Sequence, residues 1–493
     1  MPPANPKAAA PVLSKGAEVD LLIDKLAFGG KALGRVDGCV VFVGHAVPGQ
    51  RVRVRITRKK SRFAEARVVQ LLTQSPAYAP PFCPHFGVCG GCQWQDLAYE
   101  EQLHWKRLHV QECLQHLAGL TPGDILPPVA SPHQQYYRNK MEFAFAPRPW
   151  LPAGDPAAAN RALSGGCALG LHVGVSPDQV FNLEHCFLQS TQSTAIVQEV
   201  RRWCGQSGRS AYNTHTHRGF WRFLVLREGK RTDQTLVHLI TTDQGDPAAV
   251  EALAAHLVAR FPAITTVLHS RSRTKAQVAS GEDSRTVWGP GYIEEHLGDL
   301  RLRITANSFF QTNTAAAEGL YDAIGRLGEF TGEETVWDLY GGAGSIALTL
   351  AGKVRRVVGF ELVAAAVNDA YINSRLNGLE NCQFLAGDLK ERIREALRAG
   401  PRNQPRPDVV ITDPPRAGLH PQVVQTLREI APRRIMYVSC NPATLARDLG
   451  LLQDRYDILT VQPFDLFPHT AHIECVARLD RRQAGAAMRG GGG

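Results

Sequence analysis

No apolar run in the 493-residue chain approaches the ~20 residues needed to span a bilayer, so a membrane protein is not expected. The first residues, MPPANPKAAAPVLSKG, carry no apolar h-region and do not read as a secretory signal. That points to a cytoplasmic protein, in which the 11 cysteines are thiols or metal ligands rather than disulfides. A phosphate-binding loop with its lysine is missing, which disfavours a nucleoside triphosphate as ligand. Acidic residues are in the minority, 46 against 55 Lys and Arg, giving a net charge of +9. Hydrophobic content of 44% and charged content of 20% describe a globular protein, and the length allows two to four domains.

The positive excess is concentrated near the start. Between Lys15 and Leu72 there are twelve Lys and Arg and five acids, a local surplus of seven. A polyanion such as nucleic acid is the implied partner. The same stretch alternates like a small β-barrel. The segment from Arg51 to Ile56, RVRVRI, puts arginines on one strand face and Val52, Val54 and Ile56 on the other. Turn signals stand at Gly29-Gly30, Asp37-Gly38 and Pro48-Gly49. An OB-like barrel with a basic surface is expected over 15–73, with at least two of Phe28, Phe42 and Phe63 in its core.

Residues 83–92 read CPHFGVCGGC. Three thiols at C-x5-C-x2-C in a glycine-rich loop can converge on one inorganic centre, and Cys186 offers a fourth. Zinc and iron–sulfur clusters both accept four thiolates. An all-cysteine set without paired C-x2-C knuckles favours [4Fe–4S], and the spacing differs from the C-x3-C-x2-C of radical-generating sites. A helix is expected over 97–117, packing on the C-terminal domain. From about 125 to 305 the pattern is mostly short strands. Within it, Tyr136 to Lys140 (YYRNK) reads equally as a basic-aromatic cluster that meets RNA or as an exposed strand start, and 151–166 reads as a flexible Ala/Pro/Gly-rich insertion.

From Asn307 the alternation becomes β-α-β, with strands at 335–338, 357–361, 382–386, 408–412 and 434–439. A doubly wound sheet gathers ligands at its strand C-termini. There stand Asp338 with Gly341, Gly342 and Gly344, then Glu361, Asp388, the segment TDPPR ending at Arg416, and SCNP ending at Pro442. The glycines permit a tight turn and close approach of a ligand to a helix N-terminus. Glu361 suits a ribose diol, and Asp388 an adenine amine. A cofactor with adenosine and no phosphate, S-adenosylmethionine, fits this set.

These motifs identify a family resemblance across most of the chain. The barrel, the four cysteines, FFQTN ending at Asn313, 338–344, DPPRAG ending at Gly418, SCNP, and FPHTAHIE ending at Glu474 resemble the bacterial RNA uracil-5-methyltransferases. The resemblance extends to a TRAM domain and a [4Fe–4S] cluster on Cys83, Cys89, Cys92 and Cys186. It implies that Gln311, Tyr340, Ser345, Glu361, Asp388 and Asp413 line the pocket for cofactor and target base, with Cys440 as nucleophile and Glu474 as base. Members often have Cys where Gly341 stands and Asn where Ser345 stands.

The chemistry explains those residue types. Uracil C5 is too weak a nucleophile to attack a methyl sulfonium until a thiolate adds to C6. The C5 proton must then leave so that the thiol can be expelled, which needs a base. N–H groups at the SCNP turn are expected to stabilise the Cys440 thiolate, and apolar neighbours to raise the pKa of Glu474. The target base should be flipped out or unpaired, with Phe309 or Phe310 filling the gap.

A cytosine-5 enzyme would place Cys after the Pro of its Asp-x-Pro motif, and an amino-group methyltransferase an aromatic residue after Asp-Pro-Pro. Arg416 occupies that position. A non-catalytic RNA-binding or RNA-folding module would not need the Cys440/Glu474 pair. The expected architecture is a multi-domain α/β protein. It has an arm at 1–14, a TRAM barrel at 15–73 and a β-rich domain with the iron–sulfur cysteines at 74–305. A Rossmann-like methyltransferase domain at 306–482 and a tail at 483–493 follow. The expected RNA is 23S ribosomal RNA, with the tRNA T-loop as the alternative, and the protein is expected to be a monomer.

Overall fold

The computed structural model describes residues 13–120, 125–152, 167–174, 176–245, 247–398 and 406–483. Most of the expected arm, insertion and tail therefore lies outside the described residues. By density of contacts the chain divides into two units, Met1–His109 with Phe467–His472, and Val110–Leu466 with Ile473–Gly493. Among the described residues, no helix is long and apolar enough to cross a membrane.

Among its described residues the first unit carries six strands: β1 (Glu18–Leu22), β2 (Lys25–Leu26), β3 (Ala32–Val36), β4 (Cys39–Gly44), β5 (Arg51–Lys59) and β6 (Phe63–Thr73). They form one sheet in the order β1-β5-β6-β4-β3-β2. The alternation of β5 holds, with Val52, Val54 and Ile56 buried beside Val19, Leu21, Val41 and Val43. The three phenylalanines are not the core. Phe28 is 49% exposed, and half-buried Phe42 and Phe63 meet edge to face at 5.7 Å. Aliphatic side chains and Trp94 fill this core instead.

Helix α1 runs over Tyr99–Ala118, close to the expected span. In its first half, Gln102 is 1% exposed. Its Nε2 donates to the carbonyls of Trp94 (2.9 Å) and Leu97 (2.8 Å). Its Oε1 accepts the His469 N–H at 2.8 Å, which ties the 467–472 segment into this unit. Further along, Val110, Leu114 and Ala118 join the core around Trp337 and Tyr437 in the second unit.

The second unit opens with β7 (Lys140–Ala146), β8 (Ala168–Val173), β9 (Ser176–Asn182), β10 (Trp221–Glu228), β11 (Thr235–Thr241), β12 (Ile264–Arg271) and β13 (Glu282–Trp288). Their sheet order is β13-β12-β11-β10-β7-β8-β9. Two helices not anticipated from the sequence, α2 (Thr191–Gln206) and α3 (Ala248–Arg260), belong to this region. The YYRNK cluster is split by burial: Tyr136 is 39% exposed, whereas Tyr137 and Asn139 are core residues. A hairpin, β14 (Ile293–Leu297) and β15 (Leu300–Ile304), leads to helix α4 (Thr314–Gly328).

The remaining chain alternates β16 (Thr335–Leu339), α5 (Ser345–Ala351), β17 (Arg356–Glu361), α6 (Ala364–Leu376), β18 (Cys382–Ala386), α7 (Leu389–Arg398), β19 (Val409–Thr412), α8 (Pro421–Ile430), β20 (Arg434–Ser439) and α9 (Pro442–Leu452). Strands β21 (Tyr456–Phe464) and β22 (Glu474–Arg481) close it. The sheet order is β18-β17-β16-β19-β20-β22-β21. Strands β16 to β20 pair in parallel, and β22 enters antiparallel between β20 and β21. The chain winds from β16 outward to β18 and returns to β19 on the other side of β16. That switch point opens a crevice at the strand C-termini.

Candidate active site

The glycine turn leaves β16 at this switch point. Tyr340 has φ +66, Gly342 +56 and Gly344 +86, so the backbone reverses through the left-handed region. A side chain at Gly344 would meet Ala370 Cβ at 3.1 Å and the Phe384 ring at 3.3 Å, so only glycine packs here. The Gly341 N–H reaches back to Phe360 O at 3.0 Å. Glu361, at the end of β17, accepts from the Gly342 N–H (3.0 Å) and the Val363 N–H (2.8 Å). Each carboxylate oxygen is thereby oriented and keeps a lone pair for a diol.

Asp388 follows β18. Its Oδ1 accepts the Lys390 N–H at 2.9 Å, so it holds the start of α7. Gln311 is buried, and the segment that carries it is pinned from behind. Asn139 Nδ2 donates to Gln311 O (2.9 Å) and Thr314 Oγ1 (3.0 Å). Asn313 caps α4 through the Ala316 N–H. Phe310 is 4% exposed, whereas Phe309 is 62% exposed and borders Gly342. Only Phe309 is therefore free to stack.

Two carboxylates stand on adjacent strands. Asp338 is fully buried in β16, and Asp413 follows β19, its N–H directed at Leu339 O (3.3 Å). Burial and the neighbouring Asp413 push the Asp338 carboxyl up to about 8. Burial lifts Asp413 to about 7 although it keeps some solvent access. The buried Tyr321 hydroxyl, from α4, bonds to Ser345 and feels Asp413, Asp338 and Glu474, and burial raises its pKa strongly. Tyr321 did not stand out in the sequence because it occupies an apolar position of an amphipathic helix.

Cys440 follows β20 at the entry to α9. Asn441 caps that helix through the Ala443 N–H, and Pro442 is its first residue. Ser439 pairs with Cys475 of β22, so Glu474, 4% exposed, starts its strand alongside the Cys440 turn. The thiol is not held as a thiolate. Burial, then Glu474 and Asp413, push it up to about 11, against a smaller opposing effect of Arg416. The helix N-terminus is outweighed by two carboxylates and desolvation.

A latch joins the DPPR loop to α9. Asp448, fully buried, accepts from the Leu419 N–H (2.8 Å), the Tyr437 hydroxyl (2.7 Å) and Arg447 Nε (2.8 Å). Arg416 O accepts from Asn441 Nδ2 at 3.1 Å, which fastens the same loop to the Cys440 turn.

The structure thus assembles Tyr340, Ser345, Glu361, Asp388, Asp413, Cys440 and Glu474 at one end of one sheet, with Gln311 on the strap before α4. Cys83, Cys89 and Cys92 are half-buried in the first unit, where the Gly91 N–H donates to Cys89 Sγ at 3.3 Å. Cys186 is buried in the second unit. Among the described residues, no group of three or more His, Cys, Asp or Glu side chains is arranged to hold a metal ion.

Known proteins share this chain's organisation. Residues 278–482 match the family described as tRNA (Uracil-5-)-methyltransferase, and residues 13–69 match the TRAM domain. An uncharacterised RNA methyltransferase of Nitratidesulfovibrio vulgaris is 40% identical over 95% of this chain and 97% of its own. One of Bacteroides thetaiotaomicron is 37% identical over 92% and 99%. The crystal structure of the Pyrococcus abyssi tRNA (uracil-54, C5)-methyltransferase in complex with S-adenosyl-L-homocysteine superposes with a TM-score of 0.71. It is 29% identical and covers 94% of this chain and 100% of that one.

Proposed function

Since the chain belongs to the RNA methyltransferases, with a catalytic domain of the uracil-5 type and a TRAM domain, we propose that it methylates C5 of a uridine in RNA through a covalent adduct on Cys440. The observation that carries this reading is the placement of Cys440 beside Glu474, with Asp413 close enough to act on the thiol, at the strand C-termini of the switch-point sheet. S-adenosylmethionine, when bound, supplies the electrophilic methyl group. The residues present suit it: a glycine turn that excludes side chains and a Glu361 carboxylate preset for the ribose.

The chain's own residues divide the remaining work. The Cys440 thiol releases its proton to solvent and the thiolate adds to C6, moving the C5–C6 π pair toward the C4 carbonyl, which makes C5 an enolate-like nucleophile. After C5 is methylated, Glu474 takes the C5 proton, and the electron pair of that C–H bond re-forms the C5–C6 double bond as the thiolate leaves. Asp413, holding its proton near neutrality, is suited to donate to a uracil carbonyl. Phe309 is the ring available to stack on an extruded base.

The sequence favours 23S ribosomal RNA as substrate. A tRNA substrate is the second reading, supported by the match of the Pyrococcus abyssi tRNA enzyme over 94% of this chain. The reading of Cys83, Cys89, Cys92 and Cys186 as [4Fe–4S] ligands rests on their spacing and on the N–H donated to Cys89, and no catalytic step passes through it. Mapping 5-methyluridine by mass in ribosomal and transfer RNA, with and without the gene, tests the assignment. Loss of one 5-methyluridine in 23S RNA supports the first reading, loss in tRNA the second, and no change overturns both.

A further inference from the structure

The basic barrel of the first unit is not basic where its sequence is most regular. Across β1 and β5, Asp20 pairs with Arg53 and Glu18 with Arg55. Arg53 Nε and Nη2 bond the two Asp20 oxygens at 2.7 and 3.1 Å. Arg55 Nε and Nη2 bond Glu18 Oε1 at 3.1 and 2.6 Å. Lys31 reaches Glu65 at 3.4 Å. Three of the five acids of this region are thus spent against three of its twelve bases. A phosphate laid over Arg53 and Arg55 would gain a guanidinium and meet a carboxylate in the same place, so that patch of the β5 face is close to neutral for a polyanion.

The end of the same strand is different. The β5–β6 register shifts between Ile56 and Arg58. Beyond this bulge the alternation stops, and 57–62 are all exposed. The Lys60 N–H donates to Phe63 O at 2.8 Å and closes a turn with Ser61 and Arg62 at its apex. Arg58, Lys60 and Arg62 make no ion pair among the described residues, and Lys59 bonds Lys60 O and Cys39 Sγ rather than an acid. Four cations thus project from five successive positions with no acid among them.

We propose that the turn 58–62, and not the arginine face of β5, is the surface of the barrel that takes the RNA phosphate backbone. This inference rests on the RNA-binding reading above and deepens it by locating the contact. Beyond the bulge Arg58 and Lys59 are still paired with Glu65 and Ala64 of β6, yet their side chains are exposed and Glu65 is engaged by Lys31, while the β1 acids reserve Arg53 and Arg55 for the fold. Sequence-independent phosphate contact suits a turn whose cationic side chains are long, exposed and not neutralised by an acid.

The test uses the full-length protein and a fluorescein-labelled 20-nucleotide oligouridylate, with affinity measured from 50 to 300 mM KCl. Arg58→Gln/Lys60→Gln/Arg62→Gln is compared with Arg53→Gln/Arg55→Gln. The slope of log affinity against log salt falls by ~0.7 for each phosphate of a single strand that a cation no longer neutralises. The turn variant should therefore have a slope shallower by about 2, whereas the strand-face variant should keep the wild-type slope. S-adenosylmethionine binding by both variants reports that the second unit is intact. A shallower slope in the strand-face variant, or a wild-type slope in the turn variant, overturns the proposal while leaving RNA binding in place. A wild type without salt-dependent binding overturns the RNA-binding reading with it.

Discussion

Ser439 faces Cys475 in the antiparallel register of β20 and β22, and this pairing sets the next residue of one chain direction, Cys440, beside the next of the other, Glu474. One reversed strand inserted into a parallel sheet therefore brings together the two residues proposed as nucleophile and base, 34 positions apart in the chain. Burial and the two nearby carboxylates keep the thiol protonated in the absence of RNA.

The first prediction follows from the sign of that effect. Cys440 is raised from its ordinary value to about 11, so its thiolate fraction is small at neutral pH and grows as pH rises. Glu474→Gln removes one of the charges that raise it. Alkylation of Cys440 by iodoacetamide at pH 8, followed by peptide mass spectrometry, should then be faster than in the wild type, because more of the thiol is ionised. A slower reaction would mean that Glu474 deprotonates the thiol in the resting enzyme.

A second prediction concerns the buried acids. Asp338 is raised to about 8 and Asp413 to about 7. A carboxyl raised in the folded state favours folding below its unfolded pKa, and that contribution is lost as pH rises through the folded value. Stability should therefore decline between about pH 4 and 8. Asp338→Asn should flatten the decline and raise the melting temperature at pH 8 by about 2–4 °C. An unchanged pH profile in a thermal melt would contradict the assignment.

Gln102 supplies a third. Gln102→Ala removes two donated bonds and one accepted bond and leaves buried backbone groups unpaired. The cost to the first unit should be about 2–3 kcal/mol. Hydrogen exchange at the His469 amide should accelerate accordingly, and unchanged protection there would contradict the tie.

The fourth prediction concerns iron. Protein purified without oxygen should be brown and contain about four irons per chain, and Cys92→Ser should lose them. One zinc and no iron would remove the cluster reading.

Much of the catalytic half was legible in the sequence, because its signals are local. A strand that ends in an acid and a glycine turn announces its own C-terminus, and Glu361, Asp388, Asp413 and Cys440 all stand at such ends. The supporting residues were not legible, because they act through register or tertiary contact. Tyr321 and Asp448 sit in helices, where one reads as core and the other as a solvated acid, yet both are buried. The neutralisation of Arg53 and Arg55 depends on which residues of β1 lie opposite them. Helices α2 and α3 were obscured by the strand-like runs around them. The thiol of Cys440 was misjudged because its nearest charges come from β19 and β22, far away in sequence.

Covalent catalysis by Cys440, with Glu474 as the base that ends it, is tested most directly by denaturing gel electrophoresis. Glu474→Gln is incubated with substrate RNA and methyl-labelled S-adenosylmethionine. The expected result is a denaturation-resistant RNA–protein species that carries the methyl label and is absent in Cys440→Ala. Product formation by Cys440→Ala, with no covalent species in either variant, would contradict it.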